Sequence, residues 1–168
     1  MTRVRFLPAL ALLALAAGPA VAQPKGFNAL AIGAAAPDFS LKGVDDRTHA
    51  LKDFAGAKVL VVVFTCNHCP TANAYAGRIQ KLHDDFKDKG VALVAISPND
   101  PLAVRLDELG YTDLGDSFED MKIRAKEKAI TYPYLYDGET QKVSLAYGVL
   151  ATPRRPFPCP VWTAAPTP

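Results

Sequence analysis

Two apolar stretches in the middle of this chain frame the rest of its pattern. Val59-Leu60-Val61-Val62-Val63-Phe64 is a continuous run of β-branched and apolar residues, the pattern of a strand buried on both faces in a sheet covered by helices. Val91-Ala92-Leu93-Val94-Ala95-Ile96-Ser97 is a second such run. Between them Tyr75, Ile79, Leu82 and Phe86 recur at spacings of three and four, which predicts an amphipathic helix over 71–89 stopped by Gly90. Strand, helix, strand makes a βαβ unit, and its right-handed crossover leaves the two strands parallel and adjacent.

The flanking patterns are weaker. Pro37 to Leu41 reads as a short extended piece, 43–46 as a turn and Thr48 to Leu51 as the returning strand of an N-terminal hairpin. Residues 98–101 form a loop in which Asp100 is positioned to cap a short helix over 102–109. A further helix is expected over 117–128, with Phe118, Met121, Ile123 and Ala125 on a less regular face. Tyr132 to Gly138 is extended and then turns, 139–147 is a short helix ending at Gly148, and 149–151 leads toward the sheet and Thr152-Pro153. Beyond Pro153 a proline stands at nearly every second position at first. Each lacks a ladder donor, so 154–168 is an irregular tail and neither a helix nor a central strand.

The beginning of the chain is of another kind. Met1-Thr2-Arg3-Val4-Arg5, an apolar run over 6–17 and an Ala20-Val21-Ala22 ending have the parts of a secretory signal peptide over 1–22. The apolar run falls short of the roughly 20 residues a spanning helix needs. The mature chain is therefore expected in a periplasm or outside the cell, without a membrane span. Residues 23–36 are small, weakly patterned and read as a linker, and 37–153 as one domain.

Composition narrows the function. With 168 residues, 49% of them hydrophobic, the chain has enough apolar side chains for one core. Nineteen basic against 17 acidic residues, with no basic stripe, give no footprint for nucleic acid. Three cysteines, Cys66, Cys69 and Cys159, are too few for a disulfide-stapled scaffold, so the close pair asks for a chemical explanation.

That pair lies in Thr65-Cys66-Asn67-His68-Cys69-Pro70, at the carboxyl end of the first buried strand and the start of the helix, where open α/β sheets keep their sites. Two thiols separated by two residues can close as a disulfide and open as a dithiol. Cys66, nearer the strand end, is expected to be the more exposed. The N–H groups of the helix start favour its thiolate, so Cys66 is expected as nucleophile and Cys69 as resolving thiol. His68 adds positive charge when protonated, and Pro70 suits the first helical turn. Asn67 receives no role. His49 and His83 read as ordinary surface residues. No second ligand pair stands at metal-site spacing, so no resident metal or other cofactor is expected. A copper- or metal-binding module built on Cys66, Cys69 and His68 remains the non-enzyme alternative.

These residues resemble the thioredoxin superfamily, in particular its redoxin branch of alkyl-hydroperoxide-reductase-like and thiol-specific-antioxidant-like proteins. The resemblance runs from about Gly33 to Pro153 through Ala36-Pro37-Asp38-Phe39-Ser40-Leu41, Leu51-Lys52-Asp53-Phe54, the Cys66–Cys69 segment and Ala151-Thr152-Pro153. It implies an α/β thioredoxin-like fold with an N-terminal β-hairpin extension and a helical insertion over about 98–147. Pro153 would be the cis-proline facing the thiols, and Thr152 would offer backbone groups to a substrate chain. The implied activity is thiol–disulfide exchange with protein or small thiol substrates, the protein partners containing disulfides or thiols, with a membrane-bound reductant as a further partner. The alternative within the branch is thiol-dependent peroxide reduction.

Three departures from the family stand out. Thr65 occupies the place where thioredoxins carry tryptophan, and Leu60 the place of their buried acid, so a thiol must be deprotonated by other means. The proline and threonine that precede a peroxidatic cysteine have no counterpart: Val59 and Val63 stand there for Cys66, and Val62 and Cys66 for Cys69. The third departure is the tail. The strands and helix that close a thioredoxin core after the cis-proline are missing, and the sequence past Pro153 reads as truncated or frameshifted.

Overall fold

The computed structural model describes residues 30–103 and 113–149. The signal-peptide reading, the first half of the linker, Thr152, Pro153, Cys159 and the tail lie outside the described residues, as does most of the short helix expected over 102–109.

Ser40–Gly43 (β1) and Thr48–Ala50 (β2) form the antiparallel N-terminal hairpin. Val59–Phe64 (β3) and Val91–Ser97 (β4) pair in parallel, with Val59 opposite Val91 and Phe64 opposite Ile96. Pro70–Phe86 (α1) makes the crossover between them. A left-handed Gly90, φ 82°, follows its last 3-10 turn, a conformation glycine adopts without penalty. Ser117 caps Phe118–Glu127 (α2) by accepting the Asp120 N–H. Tyr134–Tyr136 (β5) runs parallel to β4, and Lys142–Ala146 (α3) ends the described chain near Gly148. The expected cap at Asp100 is present, accepting the Leu102 N–H in a 3-10 turn over Pro101–Ala103.

The sheet order is β2-β1-β5-β4-β3. The segment 98–147, expected as a helical insertion, thus also supplies a strand that lies between the hairpin and β4. Among the described residues β3 is the terminal strand of the sheet.

Because successive strand residues face opposite ways, the two unbroken apolar runs feed two cores. Leu60, Val62, Phe64, Val94, Ile96 and Leu135 pack on one face with Phe39, Val143 and Tyr147. Val61, Val63, Leu93, Ala95 and Tyr134 pack on the other with Met121, Ala125 and Tyr132. Leu60, at the position of the family's buried acid, is an ordinary member of the first core, 3% exposed.

Helix α1 is rotated from its sequence expectation. Tyr75, Leu82 and Phe86 are exposed, and only Ile79 of the predicted stripe packs against the core. The inward face is set by the small, fully buried Ala72 and continues through Ala76, Ile79 and His83. Small residues let the helix approach the sheet closely, while the larger aromatics outside are covered by Arg78 over Tyr75 and Lys89 over Phe86. His83, expected at the surface, is half-buried, and its ring meets that of Tyr132 edge-on at 5.8 Å. His49 is partly covered as well, and Nε2 bonds both carboxylate oxygens of Asp45 at 3.0 and 3.1 Å.

Candidate active site

The sequence between β3 and α1 forms a tight connection whose geometry is set from both ends. Thr65 N–H still bonds to Ile96 carbonyl oxygen at 3.0 Å, continuing the β3–β4 ladder one residue past the strand. At the other end Cys69 has extended dihedrals, φ −72° and ψ 119°, as the residue capping α1, and Pro70 opens the helix where its missing N–H costs nothing. Cys66 and Cys69 stand as thiols at the two ends of this connection.

Their exposure reverses the expectation. Cys66 is buried, 4% exposed, whereas Cys69 is half-buried. The cause is a second loop, 113–117, that closes over the first. Asp116, fully buried, accepts the backbone N–H of Asn67 at 2.7 Å and of His68 at 3.2 Å through Oδ1. Through Oδ2 it pairs with His68 Nδ1 and accepts Asn99 Nδ2 at 2.7 Å. Asn99 arrives from the loop after β4, so three separate segments converge on one carboxylate.

A carboxylate oxygen accepts from a ring N–H, so the contact between Asp116 Oδ2 and His68 Nδ1 suits the tautomer with its N–H at Nδ1, in which Nε2 is the acceptor of the ring. Donor atoms of Cys66, His68 and Asp116 all lie within 4.8 Å of one another. The imidazole edge, with 19% of its side chain exposed, is the partly open part of this cluster.

Asn67, given no role by the sequence, is the keystone of the connection. It is 1% exposed, donates Nδ2 to Gly115 carbonyl oxygen at 2.9 Å and accepts Tyr134 hydroxyl at 3.2 Å. Its own carbonyl accepts Asn73 Nδ2 at 2.7 Å, tying the connection to the first turn of α1. Burial, then the nearby charge of Asp116, pushes the Tyr134 phenol well above its ordinary value, so it stays a neutral donor.

Of the residues singled out from the sequence, Cys66, His68, Cys69 and Pro70 lie together in this site. Asn67, Asn99, Asp116 and Tyr134 were missed. Asp116 is 48 residues from His68, and only the sheet and the 113–117 loop bring them together.

The family model described as AhpC/TSA matches residues 32–166. Among curated proteins, the chain is 26% identical over 124 residues to a thiol-disulfide oxidoreductase ResA of Geobacillus thermodenitrificans, covering 73% of this chain and 60% of that one. It is 33% identical over 69 residues to a chloroplastic peroxiredoxin Q of Populus jackii, covering 41% of this chain and 32% of that one. The chain thus spans about a third to three fifths of the length of these relatives. An uncharacterised conserved protein from Geobacillus kaustophilus has a similar structure, with TM-score 0.59, 38% identity and coverage of 68% and 56% of the two chains. The thioredoxin domain of a thiol-disulfide oxidoreductase from Bacteroides vulgatus shares the fold, with TM-score 0.57, 22% identity and coverage of 74% and 79%.

Proposed function

The chain belongs to the AhpC/TSA family and has a thioredoxin-like fold, and from that premise we propose that it is an exported thiol–disulfide oxidoreductase exchanging a Cys66–Cys69 dithiol with the disulfides or thiols of protein substrates. Cys66 attacks a substrate disulfide and Cys69 resolves the mixed disulfide. The observation that carries the reading is the cluster at the β3–α1 junction, where an imidazole and a buried carboxylate lie within 4.8 Å of the Cys66 thiol. An imidazole beside a thiol supplies a proton acceptor, and the thiolate is the species that attacks. Since Cys66 is buried, its claim to be the nucleophile rests on this neighbourhood and not on exposure.

Export rests on the basic, apolar and Ala-x-Ala pattern of residues 1–22. In an oxidising compartment a reductase needs an electron source, and a membrane-bound reductant is the partner this role calls for. Among the described residues no helix is long and apolar enough to cross a membrane. Thr152 and Pro153 are proposed to form the wall opposite the thiols and to meet the substrate backbone.

Trapping tests the order of attack. With Cys159 replaced by Ser throughout, Cys69→Ser should accumulate a mixed disulfide with a disulfide-bonded peptide, and Cys66→Ser should form none. The opposite pattern would reverse the two roles, and the absence of any reversible Cys66–Cys69 couple in a glutathione titration would end the redox reading.

The similarity to peroxiredoxin Q favours a second reading, thiol-dependent peroxide reduction. Peroxide loss on adding reduced protein, far faster than with a free thiol, would select it. A metal-binding role for Cys66, Cys69 and His68 has less support. Both oxygens of Asp116 already accept two donors each, and the His68 nitrogen beside it is engaged, so a cation would have to break bonds that are already made.

A further inference from the structure

Leu60 leaves the family position for a buried acid empty of any proton acceptor, and nothing in 59–64 replaces it. The structure brings a carboxylate to the thiols from a different direction. We infer that Asp116, with Asn99 as its clamp, is the positioning residue that makes His68 the proton acceptor for Cys66. The inference rests on the dithiol reading above and deepens it.

Four observations support it. Asp116 is fully buried, and four donors reach its carboxylate: two backbone N–H groups of the cysteine connection, the Asn99 amide and the His68 ring. Four donors hold the buried carboxylate in one orientation. Its bond to Nδ1 then selects one tautomer and orientation of His68, the arrangement by which a base is held in order by a third group. The same carboxylate grips the backbone on both sides of the Asn67–His68 peptide, so ring and thiol are held by one anchor. Finally, the Cys66 sulfur lies within 4.8 Å of a His68 ring nitrogen and of an Asp116 carboxylate oxygen, a separation that one bridging water spans. Among the described residues, the titratable groups near Cys66 include His68 and Cys69 from its own connection, Asp116 from the loop before α2, and Tyr134 from β5.

The step balances without any further reactant. The Cys66 S–H bond breaks and its proton passes to Nε2 of His68. The sulfur attacks one sulfur of the substrate disulfide, that S–S bond breaks, and the departing thiolate takes the proton back from the imidazolium. When Cys69 attacks the mixed disulfide its S–H bond breaks, the Cys66–Cys69 disulfide forms, and the Cys69 proton goes to the second departing substrate thiolate, so the substrate leaves as two thiols, reduced by two electrons.

The test uses the mature chain carrying Cys69→Ser and Cys159→Ser, so that Cys66 is the single thiol, and follows alkylation by iodoacetamide from pH 4 to 10 alongside the thermal melt. Asp116→Asn should slow alkylation at neutral pH about tenfold and move its profile to higher pH. His68→Gln should do the same, and the double variant should lose no more than either single one, because the two act as a unit. Alkylation by Asp116→Asn that is unchanged or faster, with a cooperative melt retained, overturns the inference. If Asp116→Asn does not fold, Asn99→Ala decides: it removes one of four donors, and its profile should move the same way by a smaller amount. An unmoved profile there overturns the inference equally. With both thiols present, a parent that exchanges with disulfide peptide while Asp116→Asn exchanges just as fast leaves the dithiol reading intact and removes only this one. A parent that never forms a mixed disulfide removes both.

Discussion

At the scale of single residues, the site depends on groups whose removal strands a buried partner. Asn67 satisfies Gly115 carbonyl and Tyr134 hydroxyl from a position closed to water. Asn67→Ala should cost about 2 kcal/mol in urea unfolding, because the buried Tyr134 hydroxyl and the part-buried Gly115 carbonyl lose their bonds. Tyr134→Phe removes the donor and leaves one acceptor lone pair, so its cost should be smaller, about 1 kcal/mol. The cysteines, His68 and Pro70 were legible because their chemistry lies in their own side chains and four-residue spacing. Asn67 was not legible, because an asparagine gains its role only from what surrounds it. Asp116 looked like one more of the 17 acidic residues.

Elements bring their own tests. The stripe of Tyr75, Ile79, Leu82 and Phe86 correctly marks a helix but misplaces its inward face, since three of the four are exposed. Ile79→Ala should therefore destabilise by about 1–3 kcal/mol, while Leu82→Ala should stay below about 1 kcal/mol, measured by chemical denaturation. Periodicity reports that a helix is amphipathic. It does not weigh a methyl that fits against the sheet over an aromatic ring that does not. A second test lies after β5, where Gly138 faces the loop that carries Asn99. A Cβ there would stand 2.2 Å from Asn99 carbonyl oxygen and 2.5 Å from the Tyr136 ring, so the backbone has to move. Gly138→Ala should lower the melting temperature and, by displacing Asn99 from Asp116, slow alkylation of Cys66, whereas Gly56→Ala, where a Cβ meets nothing within 4 Å, should change neither.

The whole molecule is a sheet with a core on each face, and its buried phenols give it a pH signature. Burial raises Tyr132 and Tyr147 to about 12 and Tyr134 well above 10. For each, the folded value exceeds the unfolded one, near 10, so the folded state holds protons that the unfolded chain releases. Stability is therefore unaffected by these groups below about pH 10 and falls as pH rises from about 10 toward 12. Melting temperatures across that range should drop steeply, and Tyr132→Phe should flatten the drop. A flat profile in the parent would show that the phenols titrate freely.

The sequence by itself determined the parallel β3–β4 pair, the hairpin, the dithiol at a strand end and the family they belong to. Unbroken apolar runs, thiol spacing and proline placement are local signals that need no partner to be read. Tertiary structure alone decided which face of α1 turns inward, that 98–147 adds a strand to the sheet, and that Cys66 is covered by the loop bearing Asp116. Those outcomes depend on packing and on desolvation of groups 17 to 67 residues apart, from Asn99 with Asp116 to Asn67 with Tyr134. A buried carboxylate is stable only when every donor reaches it at once, and that condition belongs to the fold as a whole.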